Sequence, residues 1–214
     1  MGEPRHELLH LLYRHSFQYS TEPTFRLASG RLSQYYINCK ATTFLAEAMP
    51  LVGRLLWEAV RGASPDAVGG PTLGADPLAY AVAFVSALEG KPVHAFSIRK
   101  EPKPHGLMRW IEGYSVPGTR VAILEDVITT GESTMKAIRG AEEGGFRVVQ
   151  VAVLVDRQAQ FAAPFFALVT KDFPTYRPEE CPMCRRGMPL REPHGNPGSG
   201  GKAAGRSQPR RKPT

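Results

Sequence analysis

The stretch Val121-Ala-Ile-Leu-Glu-Asp-Val-Ile-Thr-Thr-Gly-Glu-Ser-Thr134 gives the strongest indication of how this chain folds. Its apolar beginning, residues 121–124, predicts a strand that is buried on both faces, and Glu132 opens a predicted helix. Strand, loop and helix in this order form the unit of an open α/β sheet, in which ligands bind at the carboxyl ends of the strands. The acid pair Glu125-Asp126 follows the predicted strand, so it lies where such a ligand is expected.

Short apolar segments alternate with helical segments on both sides of this stretch. Runs of Val, Ile and Leu without polar alternation predict a parallel sheet that is covered by helices on both faces. The predicted fold class is therefore α/β, with a central, mostly parallel sheet. Predicted strands cover residues 66–70, 93–98, 121–124, 148–155 and 165–169, extended segments cover 25–40, and predicted helices cover 4–15, 46–61, 76–88 and 132–143.

The loop 129–134 carries the residue types that bind a phosphate group. Its threonine, serine and glycine residues offer hydroxyl and backbone N–H donors, and the helix that follows presents the positive end of its dipole. The carboxylates of Glu125 and Asp126 can accept hydrogen bonds from two neighbouring sugar hydroxyls, so the segment predicts a ribose 5-phosphate site. A nucleotide P-loop is excluded, because its Gly-Lys-Ser/Thr ending is absent and the acids precede the glycine. The alternative is a solvated strand end that is followed by an ordinary helix cap.

A second candidate region is the segment 99–118, which has no clear period. A long irregular stretch inside a compact domain indicates a functional loop or disorder. Arg99, Lys100, Lys103 and His105 place four potential cations within seven positions. Such cations can stabilise the charge that develops on a leaving group, whereas the alternative is an ordinary solvated loop.

Composition restricts the class of protein. The chain has 214 residues, of which 42% are hydrophobic, and this predicts one domain with an appendage. There is no apolar run of the ~20 residues that a membrane span needs, and no apolar segment follows the first residues, so a cytoplasmic location is expected. The net charge of +7 comes from residues 185–214, where eight Lys or Arg residues face one acid. The folded body is therefore not a basic nucleic-acid-binding domain.

The segment 121–134 resembles the 5-phosphoribosyl 1-diphosphate (PRPP) motif of the type I phosphoribosyltransferases. Three further segments narrow the resemblance to the orotate phosphoribosyltransferases. Residues 25–38 resemble the N-terminal hood of that family, residues 99–106 resemble its mobile catalytic loop, and residues 153–157 resemble the strand end whose arginine meets the base. The resemblance covers residues 7–171. It implies the type I phosphoribosyltransferase fold over residues 1–175, with a small N-terminal hood that includes about residues 1–40.

The resemblance also implies a reaction, in which PRPP and orotate give orotidine 5′-phosphate and diphosphate. It implies Mg²⁺ bound through PRPP, and a homodimer in which the loop acts across the interface. Lys103, His105 and Asp126 are the expected catalytic residues. Orotate would be bound by Thr130, Arg157, Tyr35 and Tyr36, and by the hood backbone near Ser29-Gly30. PRPP would be bound by Arg99, Lys100, Lys103, His105, Glu125, Asp126, Val127, Ile128, Thr129, Thr130, Gly131, Glu132, Ser133 and Thr134.

Two departures from the family pattern concern the diphosphate. Family members often carry lysine where this chain has Ala28, and many have Tyr-Lys where it has Thr72-Leu73. Some diphosphate contacts are therefore missing or replaced, and Arg109 is a candidate replacement. The alternative functions are transfer to a purine or another base, and a regulator that senses PRPP and binds RNA.

Beyond the predicted domain, residues 176–194 form an extension that contains Cys181-Pro-Met-Cys184. This spacing is found in zinc knuckles, but a structural site needs four ligands, and neither Cys39 nor His194 completes the set. The pair is thus a weak zinc candidate, with a redox-sensitive pair or two plain thiols as the alternatives. Residues 195–214 predict a disordered basic tail, for which specific binding of nucleic acid is not expected.

Overall fold

A computed structural model describes residues 3–21, 24–27, 30–101, 110–159, 161, 163–188 and 190–191. The helices are α1 (Glu3–His15), α2 (Lys40–Thr43), α3 (Met49–Val60), α4 (Asp76–Leu88), α5 (Glu132–Glu143) and α6 (Pro182–Arg185), with a 3₁₀ turn at Arg61–Ala63. The strands are β1 (Phe17–Tyr19), β2 (Thr24–Arg26), β3 (Leu32–Ser33), β4 (Tyr35–Ile37), β5 (Ala67–Pro71), β6 (His94–Ile98), β7 (Ile111–Gly113), β8 (Arg120–Ile128), β9 (Arg147–Asp156), β10 (Phe166–Thr170) and β11 (Leu190–Arg191).

The central sheet has six strands in the order β10-β9-β8-β5-β6-β7. All neighbours are parallel except β7, which pairs antiparallel with β6 at one edge. From β5 the chain builds outward to β6 and β7 on one side and then to β8, β9 and β10 on the other. The strand order therefore reverses between β5 and β8, and a crevice at the carboxyl ends of these two strands is the expected ligand site.

Both faces of the sheet are buried, as the unalternated apolar segments predict. Along β8, Ala122 and Leu124 pack in a cluster with residues of α1, α3 and α4, whereas Val121 and Ile123 pack in a second cluster with residues of α5. Each fully buried Leu or Ile side chain contributes about 1.5–3 kcal/mol relative to an exposed one. The two clusters hold β8 from both sides, which fixes the strand that carries Glu125 and Asp126.

The N-terminal hood consists of two small antiparallel pairings, β1 with β4 and β2 with β3. The extension packs against this hood: β11 pairs parallel with β2, and Leu32 forms an isolated bridge with Tyr176. Leu32 also shares a buried cluster with Cys181 and Met183. The described part of the extension therefore covers the outer side of the hood.

The elements that differ from those predicted include α3, β8 and β7. Helix α3 begins at Met49 rather than at residue 46, with a proline in its first turn, where the missing N–H costs nothing. Strand β8 continues to Ile128, so the acids lie inside the strand and pair with β9. Strand β7 was missed within 99–118, because three residues that end on Gly113 at φ +84 give no periodic pattern. Among the described residues, no helix has both the length and the apolar character of a membrane span.

Candidate active site

A cleft of about 580 Å³ opens at the carboxyl ends of β5, β6 and β8, where the strand order reverses. Its floor is formed by the acid pair on β8, one side by the loop after β5, and the other side by α5 and the residues after β6. The described lining residues are Lys40, Pro71, Thr72, Leu73, Gly74, Ile98, Arg99, Lys100, Glu101, Glu125, Asp126, Ser133, Lys136 and Ala137. The fold thus brings the predicted ribose acids and two of the predicted cations, Arg99 and Lys100, into one cavity.

Glu125 is tied to the phosphate-binding loop of the same segment. Only 4% of the residue is exposed. Its Oε2 accepts hydrogen bonds from the hydroxyls of Ser133 and Thr134, each at 3.0 Å. Burial, and then the nearby charge of Asp126, raise the pKa of the Glu125 carboxyl to about 7, although both hydroxyls oppose this shift. The acid therefore fixes the first turn of α5 against β8 before any ligand is bound.

Asp126 faces the cleft more openly than Glu125. Its Oδ1 accepts the backbone N–H of Val127 at 2.8 Å, and its Oδ2 lies 4.0 Å from Nζ of Lys40. Burial raises the pKa of the Asp126 carboxyl, whereas the ammonium of Lys40 lowers it. Asp126 is therefore the acid that can accept hydrogen bonds from a ligand in the cleft.

The loop after Asp126, residues 127–131, is the candidate anion cradle. Gly131 takes φ +80 just before α5, and a Cβ at this position would lie 2.4 Å from the ring of Phe161. Glycine is therefore required here both by the backbone conformation and by the space. The first turn of α5 follows directly, and the free backbone N–H groups of such a helix start are the donors that a bound phosphate needs.

The loop after β5 forms the facing wall. A single carboxylate organises it: Asp76 accepts hydrogen bonds from the hydroxyls of Thr72 and Ser97, each at 2.7 Å. A Cβ on Gly74 would lie 2.7 Å from Oδ1 of Asp126, so the two walls of the cleft meet at this point. The Thr72–Leu73 peptide bond is cis. The sequence alone did not indicate the roles of Asp76 and Ser97, because the three partners come from separate elements.

One of the predicted cations after β6, Arg99, is already paired with a carboxylate, and so is Lys136 of α5. Nη1 of Arg99 lies 2.8 Å from Oε1 of Glu112 on β7. Lys136 on α5 lies 3.3 Å from Oε1 of Glu101, and its ammonium also lies 5.7 Å from the centre of the Trp110 ring. These contacts hold both ends of the segment that connects β6 to β7. Lys103, His105 and Arg109 lie outside the described residues.

Arg157, which is predicted to bind the base of the substrate, directly follows β9 and lies against the hood. It is 8% exposed, and its guanidinium lies 5.3 Å from the centre of the Phe173 ring and 3.5 Å from the hydroxyl of Ser33. Burial lowers the pKa of Arg157, and Asp172 partly opposes this. Among the described residues, Nε of Arg157 is buried without a hydrogen-bond partner. A planar anion at this position would supply the missing acceptor.

The two hood tyrosines point to different surroundings. Tyr35 packs in an aromatic cluster with ring centres 6.0 Å from Phe17, 5.1 Å from Tyr19 and 5.2 Å from Phe173. The ring centre of Tyr36 lies 5.7 Å from that of Phe25, and burial, and then the charge of Asp126, raise the pKa of its phenol. The two adjacent tyrosines therefore pack against different aromatic residues. Thr130 is exposed beside the cradle.

Cys181 and Cys184 share one helical turn. The backbone N–H of Cys184 donates to Sγ of Cys181 at 3.4 Å, so the first cysteine caps α6, and it is fully buried against the hood. Within the described ranges, no three His, Cys, Asp or Glu side chains are grouped as metal ligands. The contacts of the pair are thus those of a capping and packing element, and His194 lies outside the described residues.

Comparisons with known proteins give a consistent result. No family model matches the chain. It is 49% identical over 154 residues to the orotate phosphoribosyltransferase of Aquifex aeolicus, covering 72% of this chain and 84% of that protein. It is 48% identical to the orotate phosphoribosyltransferase of a Synechocystis species, covering 74% and 78%. The crystal structure of Mycobacterium tuberculosis orotate phosphoribosyltransferase in complex with PRPP matches it with a TM-score of 0.63 at 31% identity, covering 79% of this chain and 90% of that chain.

Proposed function

The chain belongs to the orotate phosphoribosyltransferase family, and we propose that its cleft transfers the 5-phosphoribosyl group from PRPP to orotate. The products are orotidine 5′-phosphate and diphosphate, and the reaction serves pyrimidine biosynthesis. The fold is the type I phosphoribosyltransferase fold. The observation that supports the proposal best is the acid pair on β8, which is joined by hydrogen bonds to an anion cradle at the strand-order reversal.

The ribose 5-phosphate of PRPP would bind along the segment 125–134. The phosphate would occupy the cradle before α5, where N–H groups and the helix dipole stabilise its charge. The carboxylate of Asp126 would accept hydrogen bonds from the ribose hydroxyls. Glu125 would act mainly through Ser133 and Thr134, whose hydroxyls it already binds. The backbone of residues 127–132 completes the proposed PRPP contacts.

The diphosphate would lie against the loop 72–74 and the cations after β6. Departure of diphosphate builds negative charge on the leaving group while the ribose becomes cationic, so positioned cations stabilise the transition state. Arg99, Lys100, Lys103 and His105 are the proposed cations. Because Arg99 is paired with Glu112, it must exchange this partner for diphosphate oxygens during the reaction cycle. Closure of the connecting segment would also exclude water, which competes with orotate as nucleophile.

Orotate would bind between β9 and the hood. The buried guanidinium of Arg157 offers a planar pair of donors that matches the carboxylate or a carbonyl edge of orotate. Phe173 holds this guanidinium in place, and Ser33 orients one of its nitrogens. Tyr36 and Thr130 would complete the base site, whereas Tyr35 would support Arg157 through its contact with Phe173. A base so held presents its ring nitrogen to C1 of the ribose.

Mg²⁺ fits this donor set. The floor of the cleft consists of two carboxylates, and hard oxygen donors are the ligands that Mg²⁺ prefers. Glu125 and Asp126 would hold the ion indirectly, by fixing the ribose hydroxyls and the diphosphate around it. When bound, Mg²⁺ neutralises charge on the diphosphate and orients it for departure.

We further propose a homodimer with shared active sites and a cytoplasmic location. Tyr80, Phe84 and Leu88 of α4 are 57%, 66% and 73% exposed, and their spacing of four residues places them on one side of the helix. Leu73, in the loop that borders the cleft, is 55% exposed. A second copy that covers this apolar face would therefore reach the edge of the active site. Light scattering should give a dimer for the native chain and a folded monomer for Phe84→Glu.

The function itself is tested by measuring orotate consumption with PRPP and Mg²⁺. We expect orotate to disappear only when both are present, with equal amounts of orotidine 5′-phosphate and diphosphate formed. Adenine, guanine and hypoxanthine are the competing bases, and none should be consumed. Consumption of a purine without consumption of orotate would keep the reaction class and overturn the assignment of the base.

A further inference from the structure

Lys40 stands out among the cleft residues, because neither the sequence motifs nor the proposed mechanism uses it. It is the first residue of α2, directly after the hood strands, and its Nζ lies 4.0 Å from Oδ2 of Asp126. Its side chain is 44% exposed, so the ammonium is open to the cleft rather than enclosed. The hood therefore contributes a cation to the floor of a site that otherwise belongs to the central sheet.

Two other described cations of the cleft, Arg99 and Lys136, differ from Lys40 in their partners. Arg99 lies 2.8 Å from a carboxylate oxygen of Glu112, and Lys136 lies 3.3 Å from one of Glu101. In both ion pairs the acid is a residue other than Glu125 and Asp126. Lys40 instead lies at the outer limit of an ion pair with Asp126, which is itself a proposed ligand-binding residue. An anion in the cleft can therefore contact Lys40 without displacing a close ion pair.

The position of Lys40 also matches a gap in the facing wall. The loop after β5 has Leu73 where many family members have lysine, so this loop brings no side-chain cation to the diphosphate. Gly74 of the same loop approaches Asp126 so closely that a Cβ would lie 2.7 Å from Oδ1. Lys40 approaches the other oxygen of the same carboxylate. Gly74, in the loop that lacks a cation, and Lys40 therefore both approach the carboxylate of Asp126.

Electrostatics favours a cation at this point. Glu125 and Asp126 lie side by side on the floor of the cleft, and two carboxylates repel a diphosphate group that must bind beside them. Partial burial strengthens this repulsion, because solvent screens it less than at an exposed surface. An ammonium between the acids and the incoming diphosphate offsets the repulsion and supplies charge-assisted donors.

We propose that Lys40 binds the diphosphate of PRPP and replaces the lysine that the loop after β5 lacks. The proposal rests on the assignment of PRPP as substrate, but it does not depend on which base is used. Lys40 would contact the diphosphate both in PRPP and in the released product. It would thereby lower the dissociation constants of both, and it would affect orotate little.

The experiment measures binding of PRPP and of inorganic diphosphate by calorimetry, with Mg²⁺ and without orotate, so that the choice of base does not enter. The variants are Lys40→Met, which keeps the length of the side chain, and Lys40→Arg, which keeps the charge. Lys91→Met is the matched control, because Lys91 is an exposed lysine in the turn after α4, outside the cleft. Circular dichroism and thermal unfolding establish that each variant is folded.

Loss of one charged hydrogen-bond donor typically weakens binding by about tenfold or more. We therefore expect Lys40→Met to raise both dissociation constants roughly tenfold, Lys40→Arg to restore most of the affinity, and Lys91→Met to match the native protein. In the orotate-consumption assay, Lys40→Met should have a higher KM for PRPP than the native protein, while its KM for orotate stays within about twofold of the native value. Unchanged affinity for both ligands in folded Lys40→Met protein would overturn the proposal, and so would equal losses in Lys40→Arg and Lys40→Met. A native protein that binds PRPP but leaves orotate unconsumed would instead contradict the proposed function.

Discussion

The two sides of the cleft are built in different ways. The ribose side is a single segment, 125–134, in which Glu125 binds the hydroxyls of residues eight and nine positions later. The diphosphate side combines Lys40, the loop 72–74, and residues after β6, which come from separate parts of the chain. The ribose side is thus organised before a ligand arrives, whereas Arg99 on the diphosphate side is bound to Glu112. We therefore expect the ribose side to bind its ligand without rearrangement, and Arg99 on the diphosphate side to exchange Glu112 for the diphosphate.

If Asp126 is the open acceptor of the rigid side, removing its charge should have the largest effect. Asp126→Asn replaces an acceptor of two hydrogen bonds with a group of similar shape and weaker acceptor strength. We expect kcat/KM for PRPP to fall about 100-fold, as for the loss of a strong charged hydrogen bond. Steady-state kinetics at saturating orotate measures this.

The matched control is Asp66→Asn, because Asp66 lies at the amino end of β5, opposite the cleft, and binds the backbone N–H of Arg120. We expect its kcat/KM to stay close to the native value. Equal losses in the two variants would mean that Asp126 acts on the stability of the sheet rather than on the substrate.

A second prediction concerns the protonation of Glu125. Burial raises its pKa to about 7 from an ordinary value near 4.5. The folded protein then binds more protons than the unfolded chain between these two values, so the free energy of unfolding should decrease as the pH rises from about 4.5 to 7. Below pH 4.5 the contribution is fully present, and above pH 7 it is lost.

Urea denaturation of the native chain and of Glu125→Gln at pH 5 and pH 7.5 tests this prediction. The uncharged variant lacks the titration, so the native chain should lose about 2 kcal/mol more than the variant between the two pH values. The same pH dependence in both proteins would show that Glu125 is already ionised at pH 5. Glu125 would then hold Ser133 and Thr134 as a carboxylate rather than as a carboxylic acid.

Gly131 tests the shape of the cradle rather than its charge. Gly131→Ala adds a Cβ at φ +80 that would lie 2.4 Å from the Phe161 ring, whereas Gly118→Ala adds one at φ +82 with no atom within 4 Å. Both variants should lose about 1 kcal/mol of stability through the backbone alone. Only Gly131→Ala should also lower kcat/KM for PRPP, roughly tenfold, because the cradle must shift. An equal loss of activity in the two variants would contradict the proposed cradle.

The contrast between a contiguous ribose side and a diphosphate side built from separate parts of the chain also explains which residues the sequence could predict. The acid pair, the cradle and its helix are contiguous, so their types and order already indicate a ribose phosphate site. The roles of Asp76 and Lys40 depend on contacts between elements that no local pattern specifies. Tyr35 and Tyr36 illustrate a third case, in which adjacent residues of one strand pack against different aromatic residues, and only the packed hood shows which partners each one has.

The smallest predicted effect concerns the exchange of partners on the diphosphate side. Arg99 and Glu112 are 43% and 42% exposed, and an ion pair this exposed contributes at most about 1 kcal/mol. Glu112→Gln weakens the competitor for Arg99, so KM for PRPP should fall about threefold while the thermal stability changes little. Glu58→Gln, an exposed substitution on α3, is the control and should leave KM unchanged. A higher KM in Glu112→Gln would show that the pair holds Arg99 in its binding position, and both sides of the cleft would then be preorganised.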